Sequence, residues 1–220
     1  MRQHPRFHGH IRGASIVSSL VEVASDNGLN SLTLYAFSTE NFQRPEEEKS
    51  VLFKLLRKFL LKEFQRIIKN NIQFKVIGNI EDLSFETKNI IRDLEQMSSV
   101  NSGMKLNFAF GYGGRSEIID AINNIMTSKR DELITESNFS QFLYDNKLPD
   151  IDLLIRTGGD QRISNFLLWQ IAYAELYFSK TLWPDFTVDE FLKIIEEVKL
   201  RDRRFGKVEM NQLANQQSII

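Results

Sequence analysis

The sequence predicts an α/β fold with a mostly parallel central sheet and helices on both faces. Short apolar runs, typical of strands that are buried on both sides, alternate along the chain with longer segments of helical periodicity. This alternation favours parallel pairing, because each crossover helix returns the chain to the same edge of the sheet. With 220 residues, 42% of them hydrophobic, the chain can bury one core, and we expect residues 1–220 to form a single domain.

Local signals place the individual elements. Ser84 and Thr187 are typical helix caps, and Glu190 completes a capping box with Thr187. Turn residues at 26–28 end the first helix, and a glycine at position 78 ends the second strand. The helices are predicted at 11–25, 46–70, about 84–97, 116–126, 137–144 and about 187–200, and the strands at 32–37, 73–77, 104–110, 151–155 and 174–178.

Charge and composition exclude several classes of function. The 28 basic and 29 acidic residues give a formal charge of −1, so no general attraction to nucleic acid or to anionic lipid is expected. Any contact with a membrane should therefore be peripheral. The chain has no cysteine, which excludes disulfides and thiolate nucleophiles and fits a reducing cytoplasm, where we expect the protein.

An arginine-rich segment follows the predicted strand 151–155, and we call residues 156–166 the arginine block. It contains the guanidiniums of Arg156 and Arg162 and the hydroxyl of Ser164, separated by the glycine pair 158–159. Two guanidiniums and a hydroxyl, brought together by a tight glycine turn, are the groups needed to clasp a diphosphate. The alternative is a surface turn whose arginines form ordinary salt bridges.

Two further polar segments stand at equivalent places in the predicted sheet. Residues 38–45, the glycine loop 111–115 and the arginine block each come directly after a strand. In parallel sheets the carboxyl ends of the strands share one edge, and ligands bind beyond that edge. The three segments therefore predict one site, and their convergence is less typical of loops with purely structural roles.

Several familiar chemistries have no motif in this chain. The glycine loop lacks the spacing and the Lys-Ser/Thr ending of a nucleotide-binding P-loop, and it is no dinucleotide fingerprint. There is no Gly-x-Ser-x-Gly nucleophile elbow and no aspartate-rich repeat of the kind found in head-to-tail trans-prenyl synthases. A zinc site at His4, His8 and His10 stays an alternative, but no nearby carboxylate or cysteine would complete it.

Taken together, the motifs resemble those of the cis-prenyltransferase family, and within it the bacterial undecaprenyl diphosphate synthases. They are YAFSTENF at 35–42, YGGR at 112–115, LIRTGG at 154–159, RISNFLLWQ at 162–170, ELYF at 175–178, LWPDF at 182–186 and RRFG at 203–206. The resemblance implies an undecaprenyl diphosphate synthase-like fold and elongation of farnesyl diphosphate by isopentenyl diphosphate with cis double bonds. It also implies Mg²⁺, a homodimer and a long-chain product such as undecaprenyl diphosphate, the lipid carrier for cell-wall glycans.

The resemblance also assigns roles to residues. It implies that Arg156, Arg162 and Ser164, with Ile163 between them, bind the isopentenyl diphosphate. It also implies that Glu175 binds the magnesium ion, for which a carboxylate is a suitable hard ligand. Residues implied near the allylic diphosphate or in the substrate-lining loop are Arg6, His10, Ser38, Thr39, Glu40, Phe42 and Arg44.

Asn41 matches the position assigned in the family as proton acceptor. A neutral amide is a poor base, so orienting the substrate, or passing the proton to diphosphate, is physically easier. We therefore expect Asn41 to be catalytic and leave its role open.

The sequence departs from the family pattern in three places. Gln161 replaces a histidine near the metal site, and Gly111 replaces an asparagine. The third departure is the start, because family members open with a strand and an Asp-Gly-Asn segment whose aspartate holds magnesium, and Met1 falls beyond it. We expect an N-terminally truncated domain without its first strand and with little synthase activity. The alternative to a synthase is a non-catalytic scaffold or binding subunit.

The predicted helix 46–70 has an apolar face wider than one core-facing stripe needs. Core packing is one explanation. In the family this region walls a tunnel for the growing chain, and we expect Phe59 or Leu60 at its end wall. Between Pro45 and Asn79 the sequence shows no shortening or insertion relative to the bacterial pattern, so our hypothesis is an undecaprenyl-length product. The residues of this face are Leu52, Leu55, Leu56, Phe59, Leu60, Phe64, Ile67 and Ile68.

Overall fold

The computed structural model describes residues 6–128 and 132–201, with side chains from Arg12 onward. Its helices are α1 (Arg6–Asp26), α2 (Glu46–Lys69), α3 (Phe85–Ser98), α4 (Gly114–Thr127), α5 (Glu136–Phe139) and α6 (Val188–Lys199). Its strands are β1 (Ser31–Ser38), β2 (Gln73–Ile77), β3 (Lys105–Tyr112), β4 (Leu153–Arg156) and β5 (Glu175–Phe178). Short 3₁₀ turns cover Thr39–Gln43, Ser140–Phe142 and Trp183–Asp185.

The strands form two parallel sheets. β1, β3 and β2 make the first sheet, with β3 in the centre, while β4 and β5 make the second. The parallel pairing is as the sequence predicted, but the single central sheet is divided. Among the described strands, β1 pairs only with β3 and β4 only with β5, so one edge of each faces the cavity between the sheets.

Helices cover both faces of the first sheet, which confirms the predicted class. β3 is buried on both sides: Phe108 belongs to the larger core, and the next residue, Ala109, belongs to a second core on the opposite face. The larger core is packed by α1, α2, α3 and α6. On the other face α4 is joined to β3 by the bond from the Tyr112 hydroxyl to Glu117 Oε2, 2.5 Å long.

Some predicted boundaries were wrong. The helix expected at 137–144 is only the single turn α5 followed by the turn Ser140–Phe142. Its apolar spacing comes from Phe139 and Leu143, which are buried against α4 from a short irregular segment rather than from one continuous helix. α1 begins at Arg6 instead of residue 11, and β4 ends at Arg156 instead of residue 155.

Across the described part of the chain, no helix combines the length and the apolar character that crossing a membrane requires.

Candidate functional site

The three polar segments predicted to converge do so. The parallel register aligns Ser38 at the end of β1 with Tyr112 at the end of β3. The backbone N–H of Gly114 in turn donates to the carbonyl of Asn165, at 2.7 Å. The turn after β1, the start of α4 and the arginine block therefore meet at one edge, as expected for carboxyl ends of parallel strands.

Within the arginine block the two guanidiniums lie together. Arg156 Nη1 donates to Ser164 Oγ and to the carbonyl of Arg162, both at 2.6 Å. Asp160 Oδ2 accepts from Arg156 Nη2 at 3.0 Å and from Arg162 Nη2 at 2.6 Å. We call Arg156, Asp160, Arg162 and Ser164 the clasp. A carboxylate thus bridges the two cations where the sequence predicted a diphosphate.

The glycine pair is needed for its backbone conformation. Gly158 and Gly159 have φ angles of 94° and 82°, in the left-handed region that other residues rarely adopt. A Cβ at either position would meet no heavy atom within 4 Å, so glycine is needed here for its φ angle and not for lack of space. Their N–H groups donate to the carbonyls of Thr181 and Ser179, each at 2.8 Å, and this fixes the turn that returns Arg162 toward Arg156.

The clasp opens onto a large cavity between the two sheets. Its volume is about 1270 Å³, and Ser38, Asn41 and Arg44 line it together with the clasp residues Arg156, Arg162 and Ser164. The remaining walls are largely apolar and come from several elements, including Leu20, Leu32, Leu34, Leu52, Leu55, Leu56, Phe59, Phe108, Ile155, Phe166 and Phe186. The cavity therefore has a cationic, polar end at the clasp and a largely apolar interior, and its lining also includes Asn30, Asp152, Lys199 and Arg201.

The apolar face of α2 is divided between two roles. Its first half, with Leu52, Leu55, Leu56 and Phe59, lines the cavity as the tunnel hypothesis requires. In its second half, Leu60 and Ile67 are fully buried in the core and do not line the cavity. Leu60 is therefore no end wall, and core packing explains this half of the helix.

Asn41 is held by the turn that contains it. Its side-chain Oδ1 accepts from the backbone N–H of Ser38 at 3.1 Å, and its carbonyl accepts from the N–H of Arg44 at 3.0 Å. The amide oxygen, the only atom of this side chain that could take a proton, is thus already bonded. What Asn41 can offer a ligand in the cavity is its Nδ2 donor.

Two residues of the predicted substrate loop brace the site from outside the cavity. Phe42 packs against Phe37, with ring centroids 5.0 Å apart, and is partly buried on the core. Glu40 lies in a smaller pocket with Arg115, where its Oε1 accepts from Asn165 Nδ2 at 3.2 Å. Hydrogen bonding from its own backbone amide, ahead of bonds from neighbouring side chains, lowers the pKa of the Glu40 carboxyl.

The other substrate-loop residues keep close contacts. Arg44 Nη1 lies 3.1 Å from Glu48 Oε1. The Thr39 hydroxyl packs against Gly113, and a Cβ added to Gly113 would lie 2.7 Å from Thr39 Oγ1. Ile163 lines both the large cavity and the smaller pocket.

Glu175 is not brought to the clasp of its own chain. It begins β5 opposite Leu153, whereas Arg156 ends β4, so about 10 Å of strand separates the two positions at about 3.3 Å per residue. Glu175 Oε2 instead accepts from Arg201 Nη1 at 2.9 Å. Arg6 and His10 lie on α1 but their side chains are outside the described residues, as are His4, His8 and the motif 203–206.

Sequence reasoning missed three residues that hold the site together. Asp160 and Asn165 lie inside the arginine block but were given no role, although an acid between two arginines was a usable signal. Tyr35 stacks on Phe166 with centroids 4.3 Å apart, and burial raises its pKa to about 12.

Comparison with known proteins decides the family. A sequence model of the family described as "Putative undecaprenyl diphosphate synthase" matches residues 1–206. The chain belongs to the cis-prenyltransferase family. The isoprenyl transferase of Aquifex pyrophilus is 45% identical over 204 residues, which cover 93% of this chain and 88% of that protein. The ditrans,polycis-undecaprenyl-diphosphate synthase, farnesyl-diphosphate specific, of Wigglesworthia glossinidia brevipalpis is 43% identical over 208 residues, covering 92% and 80%.

Solved structures agree with this assignment. The lavandulyl diphosphate synthase of Lavandula x intermedia, in complex with dimethylallyl diphosphate, has a TM-score of 0.85 at 33% identity, covering 91% of this chain and 89% of that one. A probable undecaprenyl diphosphate synthase of Campylobacter jejuni has a TM-score of 0.80 at 38% identity, covering 89% and 92%. The family and the fold expected of this cis-prenyltransferase are confirmed, and the roles of its site residues remain predictions.

Proposed function

We propose that this cis-prenyltransferase condenses isopentenyl diphosphate with an allylic diphosphate, farnesyl diphosphate as primer, to make a long-chain polyprenyl diphosphate such as undecaprenyl diphosphate. The observation that carries the proposal is the clasp at the mouth of an apolar cavity of about 1270 Å³. Such an arrangement suits a ligand with an anionic head and a growing hydrocarbon tail. The farnesyl-specific relative supports the choice of primer.

The clasp is suited to the diphosphate of isopentenyl diphosphate. Arg156 and Arg162 carry two positive charges against the single negative charge of Asp160, which leaves one positive charge for a ligand. Each hydrogen bond from a guanidinium or from Ser164 to a phosphate oxygen would stabilise the complex by roughly 1.5–3 kcal/mol. Bonds within the clasp already hold the two guanidiniums and the Ser164 hydroxyl together, so little side-chain ordering is required on binding.

The apolar cavity is suited to the growing chain. It is larger than the roughly 300–1,000 Å³ pockets that hold drug-sized ligands. Each added isoprene unit would bury five carbons, worth roughly 4 kcal/mol at about 0.8 kcal/mol per methylene-sized group. Elongation would end when the apolar interior is filled, and Phe59 is the residue of the predicted end wall that lines it.

Asn41 orients the reacting groups in this proposal. The condensation joins the terminal double-bond carbon of isopentenyl diphosphate to the allylic carbon, releases the allylic diphosphate and removes a proton from the isopentenyl unit. Because Oδ1 of Asn41 is bonded to the Ser38 N–H, its Nδ2 would donate to a substrate oxygen. The proton would pass to the departing diphosphate, a better base than an amide.

Magnesium dependence is proposed from the family resemblance and not from a built site. Among the described side chains, which begin at Arg12, no group of three or more His, Asp or Glu could hold a metal ion. Glu175 is paired with Arg201, and Asp160 with both clasp arginines. These pairs use Glu175 Oε2 and Asp160 Oδ2, so a metal ion would compete with guanidiniums for the same carboxylates, and the described residues form no preassembled set of magnesium ligands. Turnover with and without EDTA tests the dependence.

The remaining proposals concern assembly and location. A homodimer is supported by Ile119, Ile122 and Met126, which are 56%, 41% and 78% exposed at a spacing that places them on one side of α4. We also propose a cytoplasmic protein whose membrane contact is peripheral, through its lipid product.

A non-catalytic scaffold or binding subunit is the second candidate, and the divided sheet favours it. Two buried polar atoms among the cavity-lining residues, Thr33 Oγ1 and Arg156 Nε, have no hydrogen-bond partner within the described residues. Buried polar groups normally have partners, so the cavity is suited to further polypeptide or ligand that supplies them. A chain in this state could hold a prenyl diphosphate without turning it over.

Turnover separates the two candidates. The full chain would be incubated with farnesyl diphosphate, Mg²⁺ and labelled isopentenyl diphosphate, and extracted products separated by length. The synthase proposal predicts labelled polyprenyl products from the wild type and from the Arg92→Ala control, an exposed change on α3, and none from Arg156→Ala or Arg162→Ala. The scaffold alternative, and the low activity expected from the sequence, predict little product from any of them. Binding of isopentenyl diphosphate without incorporation would favour the scaffold, and neither binding nor incorporation would overturn the proposal.

A further inference from the structure

Asn165 belongs to one of the three segments of the site and bonds to the other two. Its backbone carbonyl accepts from the N–H of Gly114 at 2.7 Å, and its Oδ1 accepts from the N–H of Arg115 at 2.9 Å. Its Nδ2 donates to Glu40 Oε1 at 3.2 Å. One residue of the arginine block therefore holds both the start of α4 and the turn after β1.

Its contacts with α4 replace a missing cap. The first N–H groups of a helix have no partner within the helix, and the capping residue usually supplies one from its side chain. Gly113 occupies that position here and has no side chain to do so. Asn165 instead provides acceptors for the N–H groups of Gly114 and Arg115. It lies 50 residues after Arg115 in the chain.

Close packing fixes Asn165 in this position. Its φ of 62° lies in the left-handed region, which asparagine tolerates better than most residues. A Cβ on Gly113 would lie 2.8 Å from Asn165 Nδ2 and 2.7 Å from Thr39 Oγ1. The three segments thus approach so closely that Asn165 has little room to move independently of them.

The neighbours of Asn165 and of Glu40 are groups that the proposed reaction uses. Ser164, which precedes Asn165, accepts from Arg156 within the clasp. Asn41, which follows Glu40, lines the cavity. We propose that Asn165 is a positioning residue, which fixes the clasp relative to Asn41 through its bond to Glu40. This inference rests on the proposed function, because the distance it sets is the one between the bound isopentenyl unit and the group that orients it.

Replacing the amide of Asn165 by a carboxylate tests its bond to Glu40. Asn165→Asp keeps the acceptors for Gly114 and Arg115 but places two carboxylates side by side, which repel each other unless they share a proton. We expect its kcat at pH 8 to fall roughly ten- to hundred-fold, since a misplacement of about 1 Å can cost that much. The KM for isopentenyl diphosphate should change much less, because the clasp stays assembled. Lowering the pH should restore part of the loss.

The double variant Asn165→Asp/Glu40→Gln exchanges donor and acceptor and should recover most of the lost kcat at pH 8. Asn123→Asp, the same chemical change on the exposed side of α4, serves as the control and should behave as the wild type. Thermal melts of all variants show whether a loss of folded protein accounts for a loss of rate. An unrecovered double variant, or a single variant that matches the wild type at every pH, overturns the inference.

Amide hydrogen exchange measures the coupling between Asn165 and the turn Thr39–Gln43 without requiring turnover. In Asn165→Asp the amides of the turn Thr39–Gln43 should exchange faster than in the wild type, and the double variant should restore their protection. A wild type without turnover would contradict the proposed function, and the exchange pattern would still decide the inference. Unchanged exchange in Asn165→Asp overturns it.

Discussion

Asp160 Oδ2 lies 3.0 Å from Arg156 Nη2, so the chain itself supplies an anion to this arginine of the clasp. The same carboxylate oxygen lies 2.6 Å from Arg162 Nη2. An incoming diphosphate must share or replace this partner. Asp160 thus preorganises the two guanidiniums and also competes with the ligand.

Asp160→Asn should strengthen the binding of isopentenyl diphosphate. The amide keeps an acceptor for one guanidinium but removes the competing charge, and a half-exposed ion pair is worth about 0–1 kcal/mol, or up to about a fivefold change in Kd. Isothermal titration calorimetry measures it, with the exposed Asp93→Asn on α3 as control. Weaker binding would show that preorganisation by Asp160 outweighs its competition.

The Glu175 and Arg201 pair should contribute to stability and not to the clasp. Arg201→Gln and Glu175→Gln should each lower the free energy of unfolding only slightly, because both side chains are partly exposed and solvent screens the pair. Both should leave the Kd for isopentenyl diphosphate unchanged. A change in magnesium dependence in Glu175→Gln that is absent from Arg201→Gln would instead support the metal role that the family resemblance implies.

Phe59 and Leu60 are neighbours on α2 with different expected effects. Phe59→Ala removes a ring from the cavity wall, next to Phe108 at 4.9 Å between centroids, and should lengthen the products. Leu60→Ala should leave product length unchanged and lower the free energy of unfolding by about 2–5 kcal/mol, since Leu60 is 0% exposed in the core. Product chromatography and urea denaturation measure the two effects. Equal product lengths from both variants and the wild type would contradict the assignment of Phe59.

Glu95 should make stability fall as the pH rises from acid toward neutral. Burial, only partly offset by the Val76 N–H at 2.8 Å and by Lys75, raises the pKa of the Glu95 carboxyl above its ordinary value of 4.5. The folded state therefore holds this proton more tightly than the unfolded state, and stability is lost as the pH rises through the folded pKa.

Glu95→Gln removes that loss, because the amide still accepts from the Val76 N–H and carries no charge to desolvate. Urea denaturation between pH 4 and pH 7 should show a smaller decline for this variant than for the wild type. Glu47→Gln, an exposed change at the start of α2, is the control and should keep the wild-type slope. A steeper decline in Glu95→Gln would show that ionised Glu95 stabilises the folded state.

Much of the site was predictable because its signals are local. The spacing of Arg156, Arg162 and Ser164 around a glycine pair indicated a cluster of donors, and the structure brings them together. Strand ends are also local features, and the parallel arrangement then places them at one edge. The apolar run at Phe139 and Leu143 misled the helix prediction, because burial against α4 imposes the same spacing on an irregular segment.

The remaining relationships depend on distant partners. Asn165 and Glu40 are 125 positions apart, so no local pattern could pair them. The division of the sheet likewise depends on which strands find neighbours across the whole fold, not on the propensity of β1 or β4. The family resemblance implies Glu175 as a metal ligand, but the surroundings of this side chain, chiefly Arg201, depend on where α6 ends.

Calorimetric titration of isopentenyl diphosphate into the full chain measures whether the clasp binds a diphosphate at the mouth of the apolar cavity. We expect saturable binding to the wild type and to Arg92→Ala. Binding should be at least tenfold weaker in Arg156→Ala, which loses charge-assisted bonds worth roughly 1.5–3 kcal/mol each. Equal binding by Arg156→Ala and the wild type would show that the clasp is not the diphosphate site.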